Sequence, residues 1–551
     1  MDLEIPLGKR TPLYRFFEML PALLSYGAIV LLVVLSIFSP VAAAVYLLIV
    51  ILSMLVKVVG ITYHMVRGRG IMQQACQLDW AARLSDLESP AEAYQRYSKQ
   101  PSAELGFAEH MENLRTLATA APGTYPRPSE VYNALIMPAY NEGIEVIEPA
   151  LRSVLETTYD RQRLIIVFAY EERGGEAMRR TAQQLQRRYR KEFHSFHIVE
   201  HPKNIPHEVI GKGGNITYAG RWLQRYLAEQ RIDPRQVIVT TMDCDNKPHP
   251  TYFDYLTYEY IVREDRRRLS YQPVCLFTNN IWDVPAPMRV VATGNSFWNI
   301  ISSMRPHSLR NFASHAQPMD ALIEMDFWSV RTIVEDGHQY WRSYFHFKGD
   351  YEVVPLHVPI YQDAVLAGGY IRTLKAQFIQ LRRWAYGASD VAYVGTRIFS
   401  RQRTVPFWGG LARFVRLLDG HVTLSCVAIL VAFGGWVPLL VNAEAARSVA
   451  AYQLPDTVSL LQRIGLIGLA IAIFTSFKLL PPRPARYTRR RTIWMVLQWL
   501  LMPVTAIVYS SMAAYNSQTR LLLGKYLDKF DVTEKAVVTT RPPAKKRGAS
   551  S

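Results

Sequence analysis

Cysteine is scarce in this chain. The four residues, Cys76, Cys244, Cys275 and Cys426, fall at no spacing that suits a disulfide framework or a zinc site. A disulfide scaffold and a zinc module are thereby excluded, and the thiols are expected to be reduced, mostly in the core. Internal repeats are missing too, which excludes solenoids and propellers. No module of interleaved basic and aromatic side chains appears, so nucleic acid is not an expected partner. Between residues 61 and 405 no apolar run reaches the length of a membrane span, so that stretch is expected to fold in water. The connection Ser39 and Pro40 carries no charge. The first apolar run passes straight into a second without a small-residue cleavage site, which argues against a removable signal peptide.

What is present is a chain divided between water and lipid. Its 551 residues exceed one ordinary domain. A mean hydropathy of −0.01 lies between that of a soluble enzyme and that of a transporter. Apolar runs at 21–38, 41–60, 421–442, 458–480 and 492–513 are candidate spans. The net charge of +17 is concentrated beside them. Lys9, Arg10 and Arg15 precede the first run, and Arg67 and Arg69 follow the second. By the positive-inside rule both flanks are cytosolic, which places the water-folded stretch on the cytosolic face of an inner (plasma) membrane. The loop 481–491, with Arg483, Arg486, Arg489, Arg490 and Arg491, asks for the same side. So does the tail, with Lys525, Lys529, Lys535, Arg541, Lys545, Lys546 and Arg547. Three full crossings after the water-folded stretch would forbid this, so the last run, interrupted by Pro503, is expected not to cross fully.

The middle of the chain alternates short apolar strands with helices. Strands are expected at 133–137, 164–170, 197–200 and 237–242, and helices at 144–157, 176–189 and 215–230. The fold class is therefore α/β, a doubly wound, mostly parallel sheet inserted between transmembrane α-helices, with ligands beyond the carboxyl ends of the strands. Leu374, Phe378, Leu381, Ala385 and Ala388 form one apolar helical stripe, and Trp408, Leu411, Phe414, Val415 and Leu418 a second. Both read as amphipathic interfacial helices. The expected organisation is two spans in 1–60, a helical lead-in and linker in 61–130, a catalytic domain in 131–370, interfacial helices in 371–420, about three spans in 421–513 and a basic tail in 514–551. Residues 538–551 are expected to be disordered.

Several short motifs carry chemistry. Asp243 and Asp245 stand two apart at the exit of an expected strand, so both carboxylates can face one side. Two hard oxygen ligands suit Mg²⁺ or Mn²⁺ bridging to a diphosphate, although a lone Asp-x-Asp is common in solvated turns. A calcium loop is a poor fit, because Lys247 and Pro248 occupy its third ligand and glycine positions. Pro138, Ala139, Tyr140, Asn141 and Glu142 follow the first strand, where a turn presents backbone amides at the binding edge. Gly211, Lys212, Gly213, Gly214 and Asn215 precede a helix, so open backbone and one ammonium can meet phosphate. Glu335 and Asp336 open another helix. A carboxylate there suits a general base, and acidic residues also favour helix starts. Gln380, Arg383 and Trp384 stand at i, i+3 and i+4 on one helix face. A guanidinium suits a diphosphate, and an indole the flat face of a sugar.

Taken in this order, the motifs over about residues 130–400 resemble family-2 glycosyltransferases of the processive type, the relatives of cellulose, chitin and hyaluronan synthases. The resemblance implies a GT-A fold and a nucleotide-sugar donor, foremost a UDP-sugar. It assigns Asp243 and Asp245 to the metal and diphosphate, Asp336 to the catalytic base with Glu335 beside it, and Arg383 to the donor diphosphate. Pro138, Tyr140, Asn141, Glu142 and Lys212 fall to the donor, Trp384 with Gln380 to the acceptor sugar. Two departures stand out. The second strand runs into Glu171 and Glu172, which leaves nucleotide reading to Glu171, and residues 317–328 replace the small-residue segment expected at the acceptor.

Three functions follow as expectations: a processive polysaccharide synthase, a transferase adding one sugar to a lipid-linked or envelope acceptor, and a non-catalytic protein that binds anionic membrane lipids. The sequence specifies no oligomeric state.

Overall fold

The strands of the computed structural model form one eight-stranded sheet: β1 (Tyr132–Ala139), β2 (Leu164–Glu171), β3 (Ser195–His201), β4 (Val237–Thr241), β5 (Lys247–Pro248), β6 (Leu269–Leu276), β7 (Ala316–Pro318) and β8 (Glu352–Tyr361). Residues 3–442, 445–447 and 449–529 are described; the tail 538–551 lies outside them, as do Lys535, Arg541, Lys545, Lys546 and Arg547. The strand order is β3-β2-β1-β4-β7-β6-β8-β5. The first four are parallel. Beyond β4 the sheet is mixed, because β7 runs antiparallel to both β4 and β6 while β6 and β8 are parallel. The doubly wound parallel expectation therefore describes one half of the sheet.

Alternation along the strands feeds two cores. Leu135, Met137, Ile166 and Phe168 face one, together with Ile147, Leu151, Tyr252 and Phe253. Ala134, Ile136, Ile165 and Val167 face the other, with Ile216, Leu223, Phe327 and Trp328. The lead-in packs as part of the first core rather than linking to it: Trp80 stacks on Tyr255 at 3.7 Å and Leu114 is fully buried. Residues 317–328, expected at the acceptor, supply β7 and the buried Met319, Leu322, Phe327 and Trp328. They are scaffold.

Five helical segments are long and apolar enough to cross a membrane. The expected boundaries at residues 60, 370, 420 and 513 fall inside helices. Helix α1 is Pro12–Phe38, and α2 runs unbroken from Pro40 to Gln77, past residue 60. The stripe at Trp408 belongs to a single helix, Phe407–Phe433, so the amphipathic stripe and the start of the apolar run expected at 421–442 share one element. Its first half packs on the α/β domain, with Arg413 Nε donating to the Tyr340 hydroxyl at 3.3 Å. Farther along it follows α1, where Ser25 and Ser425 meet at 3.3 Å. The helix Val449–Leu479 packs along α2.

The last apolar segment, Arg489–Leu522, is broken into short α, 3₁₀ and π turns around Pro503. Both of its ends touch elements at the α/β domain. Arg491 Nη2 donates to the Trp282 carbonyl at 2.9 Å, and Ser517 Oγ to the Arg382 carbonyl at 2.6 Å. Arg15, in the first turn of α1, donates to the carbonyls of Leu521 (2.9 Å) and Leu522 (3.0 Å). These contacts fall on carbonyls at a helix C-terminus, where Leu521 O also accepts from Gly524 N at 3.1 Å.

Candidate active site

The parallel half of the sheet reverses its winding between β1 and β4, and the crevice beyond their carboxyl ends is the expected ligand position. Lys212 enters it from the N-terminus of the helix Lys212–Gln230. Gly213 is needed there, since a Cβ on it would strike the Ser329 backbone carbonyl, whereas one on Gly214 would meet the end of the Glu208 side chain. Lys212 Nζ lies 2.7 Å from Asp243 Oδ1 and 3.7 Å from Glu335 Oε1. Burial works against its charge, but Asp243, Glu335 and Asp336 outweigh it and hold the ammonium protonated well above the ordinary lysine range.

β4 ends at Thr241, and Asn246 N donates to the Asp243 carbonyl at 3.0 Å. Asp243 to Asp245 therefore form a tight turn, and strand alternation does not extend over them. Asp245 is buried. Glu335 and Asp336 form the first turn of the helix Glu335–His346, whose N-terminal dipole favours negative charge. Burial raises both carboxyls. Glu335, pressed also by the charge of Asp336, is pushed up to about 7. For Asp336 burial is opposed by Lys212, by the Gly337 amide donating to Oδ1 at 2.7 Å, and by Arg383. Lys212, Asp243, Glu335, Asp336 and Arg383 thus form one electrostatic cluster drawn from four parts of the chain.

Arg383 and Trp384 lie near the end of the helix Tyr370–Ala385. Arg383 is buried. Trp384 is 40% exposed, its ring 5.9 Å from Phe277. Gln380 shares this helix but accepts a hydrogen bond from Gln377 Nε2 at 3.0 Å. The donor-turn expectation changes in detail. Pro138 is a strand residue, paired in register with Ala169. The amides of Tyr140 and Asn141 donate to Glu142 Oε2 at 2.8 and 3.2 Å, so Glu142 braces the loop and occupies the amides that a ligand would have used.

Glu171 lies at the end of β2 in a second group that sequence reasoning missed in part. It is paired with Arg173, whose guanidinium lies 5.0 Å over the Tyr140 ring. His201, at the end of β3, stands 3.9 Å from Glu171 and 3.0 Å from Glu208. Burial opposes its charge, yet the two carboxylates push its pKa up to about 9. Arg173, His201 and Glu208 carry no local motif; only the sheet order brings them to one edge.

Among the described residues no group of three or more His, Cys, Asp or Glu side chains gathers to hold a metal. Asp243 and Asp245 offer two carboxylates, which fits a cation such as Mg²⁺ that is held by one or two carboxylates and completes its shell with substrate phosphate and water. It does not fit a closed structural site.

No protein-family model and no curated protein matches the chain. Among solved structures it is similar to the mannosyltransferase PcManGT from Pyrobaculum calidifontis in complex with GDP-Man and Mn²⁺, at 14% identity and a TM-score of 0.37, over 85% of this chain and 100% of that one. It is also similar to S. aureus TarS 1–349 in complex with UDP-GlcNAc, at 12% identity and a TM-score of 0.36, over 72% of this chain and 93% of that one.

Proposed function

We propose that the chain is a membrane-bound, inverting glycosyltransferase of GT-A type, moving a sugar from a nucleotide-sugar donor, foremost a UDP-sugar, to a glycan acceptor. The observation that carries this reading is the convergence of Lys212, Asp243, Glu335, Asp336 and Arg383 beyond the ends of β1 and β4. Such a site needs a base for the acceptor and cations for the leaving diphosphate, and the cluster supplies both. Asp336 takes the proton from the acceptor hydroxyl as it attacks the anomeric carbon from the face opposite the diphosphate. Arg383 and Lys212 face the charge that builds on the departing group. Mg²⁺ or Mn²⁺ on Asp243 and Asp245 would add Lewis-acid neutralisation of that charge. Trp384 offers a partly exposed ring for the acceptor sugar, and Glu171 a carboxylate for the nucleotide.

The basic residues around the α/β domain, Arg67, Arg69, Arg483 and Arg489, support a cytosolic position for it. Contacts of both ends of the last apolar segment with elements at the domain support its return to that same side. Processive elongation is the first reading for the product. Addition of one sugar to a lipid-linked or envelope acceptor is the second, favoured by the small set of five candidate spans among the described residues, of which the last is read as returning.

The test is nucleoside-diphosphate release by the purified full chain over a panel of UDP- and GDP-sugars, with Mg²⁺ or Mn²⁺ and with chelator. Release from at least one donor, dependent on the cation, is expected. Long polymer among the products supports the first reading and single additions the second; no release from any donor refutes both.

A further inference from the structure

Arg289 lies in the first turn of the helix Ala286–Ser303 and is only 2% exposed. A buried guanidinium ordinarily has a carboxylate beside it, because a buried charge left unpaired is strongly destabilising. Arg289 has none among the described residues. Its Nε donates to Gln498 Oε1 and its Nη1 to the Val284 carbonyl at 2.6 Å. Arg491, in the first turn of the helix Arg489–Leu497, reaches the same carbonyl. Its Nη2 donates to Trp282 O at 2.9 Å and to Val284 O at 3.4 Å, and its Nε is buried without a partner. Two guanidinium groups therefore converge on one backbone oxygen. The neighbouring acid, Asp283, is already taken: it accepts from Arg486 Nη2 and from the Tyr487 hydroxyl, both at 2.6 Å. Neither helix has a side chain capping its first amides, so two helix N-termini add partial positive charge.

This cluster is built for an anion, and its surroundings identify the kind. One turn beyond Arg491, Ile493 and Trp494 are 61% and 63% exposed, and Leu497 and Leu500 continue that apolar surface. On the other helix Trp298 is exposed as well. A soluble phosphate has no use for such a surface, whereas a lipid fits both parts: its phosphate on the guanidinium groups, its chains along the apolar helix. The exposed Arg483, Arg489 and Arg490 gather anionic headgroups nearby without making the seat itself.

We propose that Arg289 and Arg491 form a specific site for the phosphate of an anionic membrane lipid, clamping the start of the last apolar segment to the helix Ala286–Ser303. The site is separate from the sugar-transfer cluster and stands or falls independently of it.

The test uses the full chain in neutral detergent, titrated with fluorescent phosphatidylglycerol or phosphatidylcholine and read by energy transfer from tryptophan. Phosphatidylglycerol is expected to bind in preference, and Arg491→Gln to weaken it about tenfold, as befits loss of a charge-assisted hydrogen bond. The double variant Arg489→Gln, Arg490→Gln removes more charge from exposed positions and is expected to weaken it far less. Arg289→Lys keeps the charge but loses the fork, and a loss of binding similar to that of Arg491→Gln is expected. Where Arg289→Lys fails to fold, Arg491→Gln against the double variant decides. Equal binding of the two lipids, an equal loss in the exposed double variant, or displacement of the lipid by millimolar inorganic phosphate would each overturn the proposal.

Discussion

Two charged clusters in this molecule are put together in different ways. Beyond β1 and β4, acids and bases alternate: Lys212 lies between Asp243 and Glu335, and Asp336 has both Lys212 and Arg383 in its field. Around Val284, two guanidinium groups meet and no carboxylate joins them among the described residues. A cluster of mixed sign offsets part of the burial cost of its charges and can hold a proton acceptor poised beside a leaving group. An unbalanced one carries an electrostatic debt that only an anion settles. On the two proposals made above, the difference separates a site for chemistry from a site for binding.

The comparison can be broken at several points. Short of the base itself, the largest effect is expected from Arg383→Ala. Removing a fixed cation from the leaving group should lower kcat by about 10²- to 10³-fold, while the Arg491→Gln variant in lipid of fixed composition keeps its kcat within a few-fold. Comparable kcat losses in both would erase the distinction. Asp245→Ala should weaken donor binding in Mg²⁺ by at least about tenfold and leave metal-free binding as it was, measured by calorimetry. Wild-type affinity that is the same with and without metal would remove the cation from the account. Lys212→Gln takes away an ammonium that opposes the burial-driven rise of the Asp336 carboxyl. The base must be ionised to act, so activity is lost as pH falls through that pKa. The acidic limb of kcat/KM should therefore move to higher pH in the variant, and an unmoved limb would detach Lys212 from Asp336. The smallest change is expected from Trp384→Ala, a rise of about 2- to 10-fold in acceptor KM with kcat little altered, since one stacking contact is worth about 0.5–1.5 kcal/mol.

How far the sequence could be read depended on how local each signal was. β1, β2 and β4 are buried on both faces and appear as continuous apolar runs, so their places were expected to within a residue or two. β6 and β8 were not expected. Gln272 and Pro273 interrupt one, and Pro355, His357 and Pro359 the other, and prolines argue against a central strand. β8 accepts them because only the two-residue β5 flanks its far side. The same limit applied to the site. Lys212, Asp243, Glu335, Asp336 and Arg383 each sat in a recognisable short motif. The Glu142 brace appears only in the fold, because a carboxylate bonding its own loop's amides reads in sequence like one free to meet a ligand. Arg289 and Arg491 are separated by two hundred residues and belong to no motif; their meeting depends on the last apolar segment folding back to the domain.

The central claim, that a carboxylate at the head of the helix Glu335–His346 serves as the base for sugar transfer, is tested most directly by Asp336→Asn. Turnover and donor affinity would be measured together with whichever nucleotide sugar the wild-type chain hydrolyses or transfers. The account predicts turnover lower by about 10²- to 10⁴-fold with donor affinity nearly unchanged. Turnover equal to wild type, or a loss wholly explained by weaker donor binding, would contradict it.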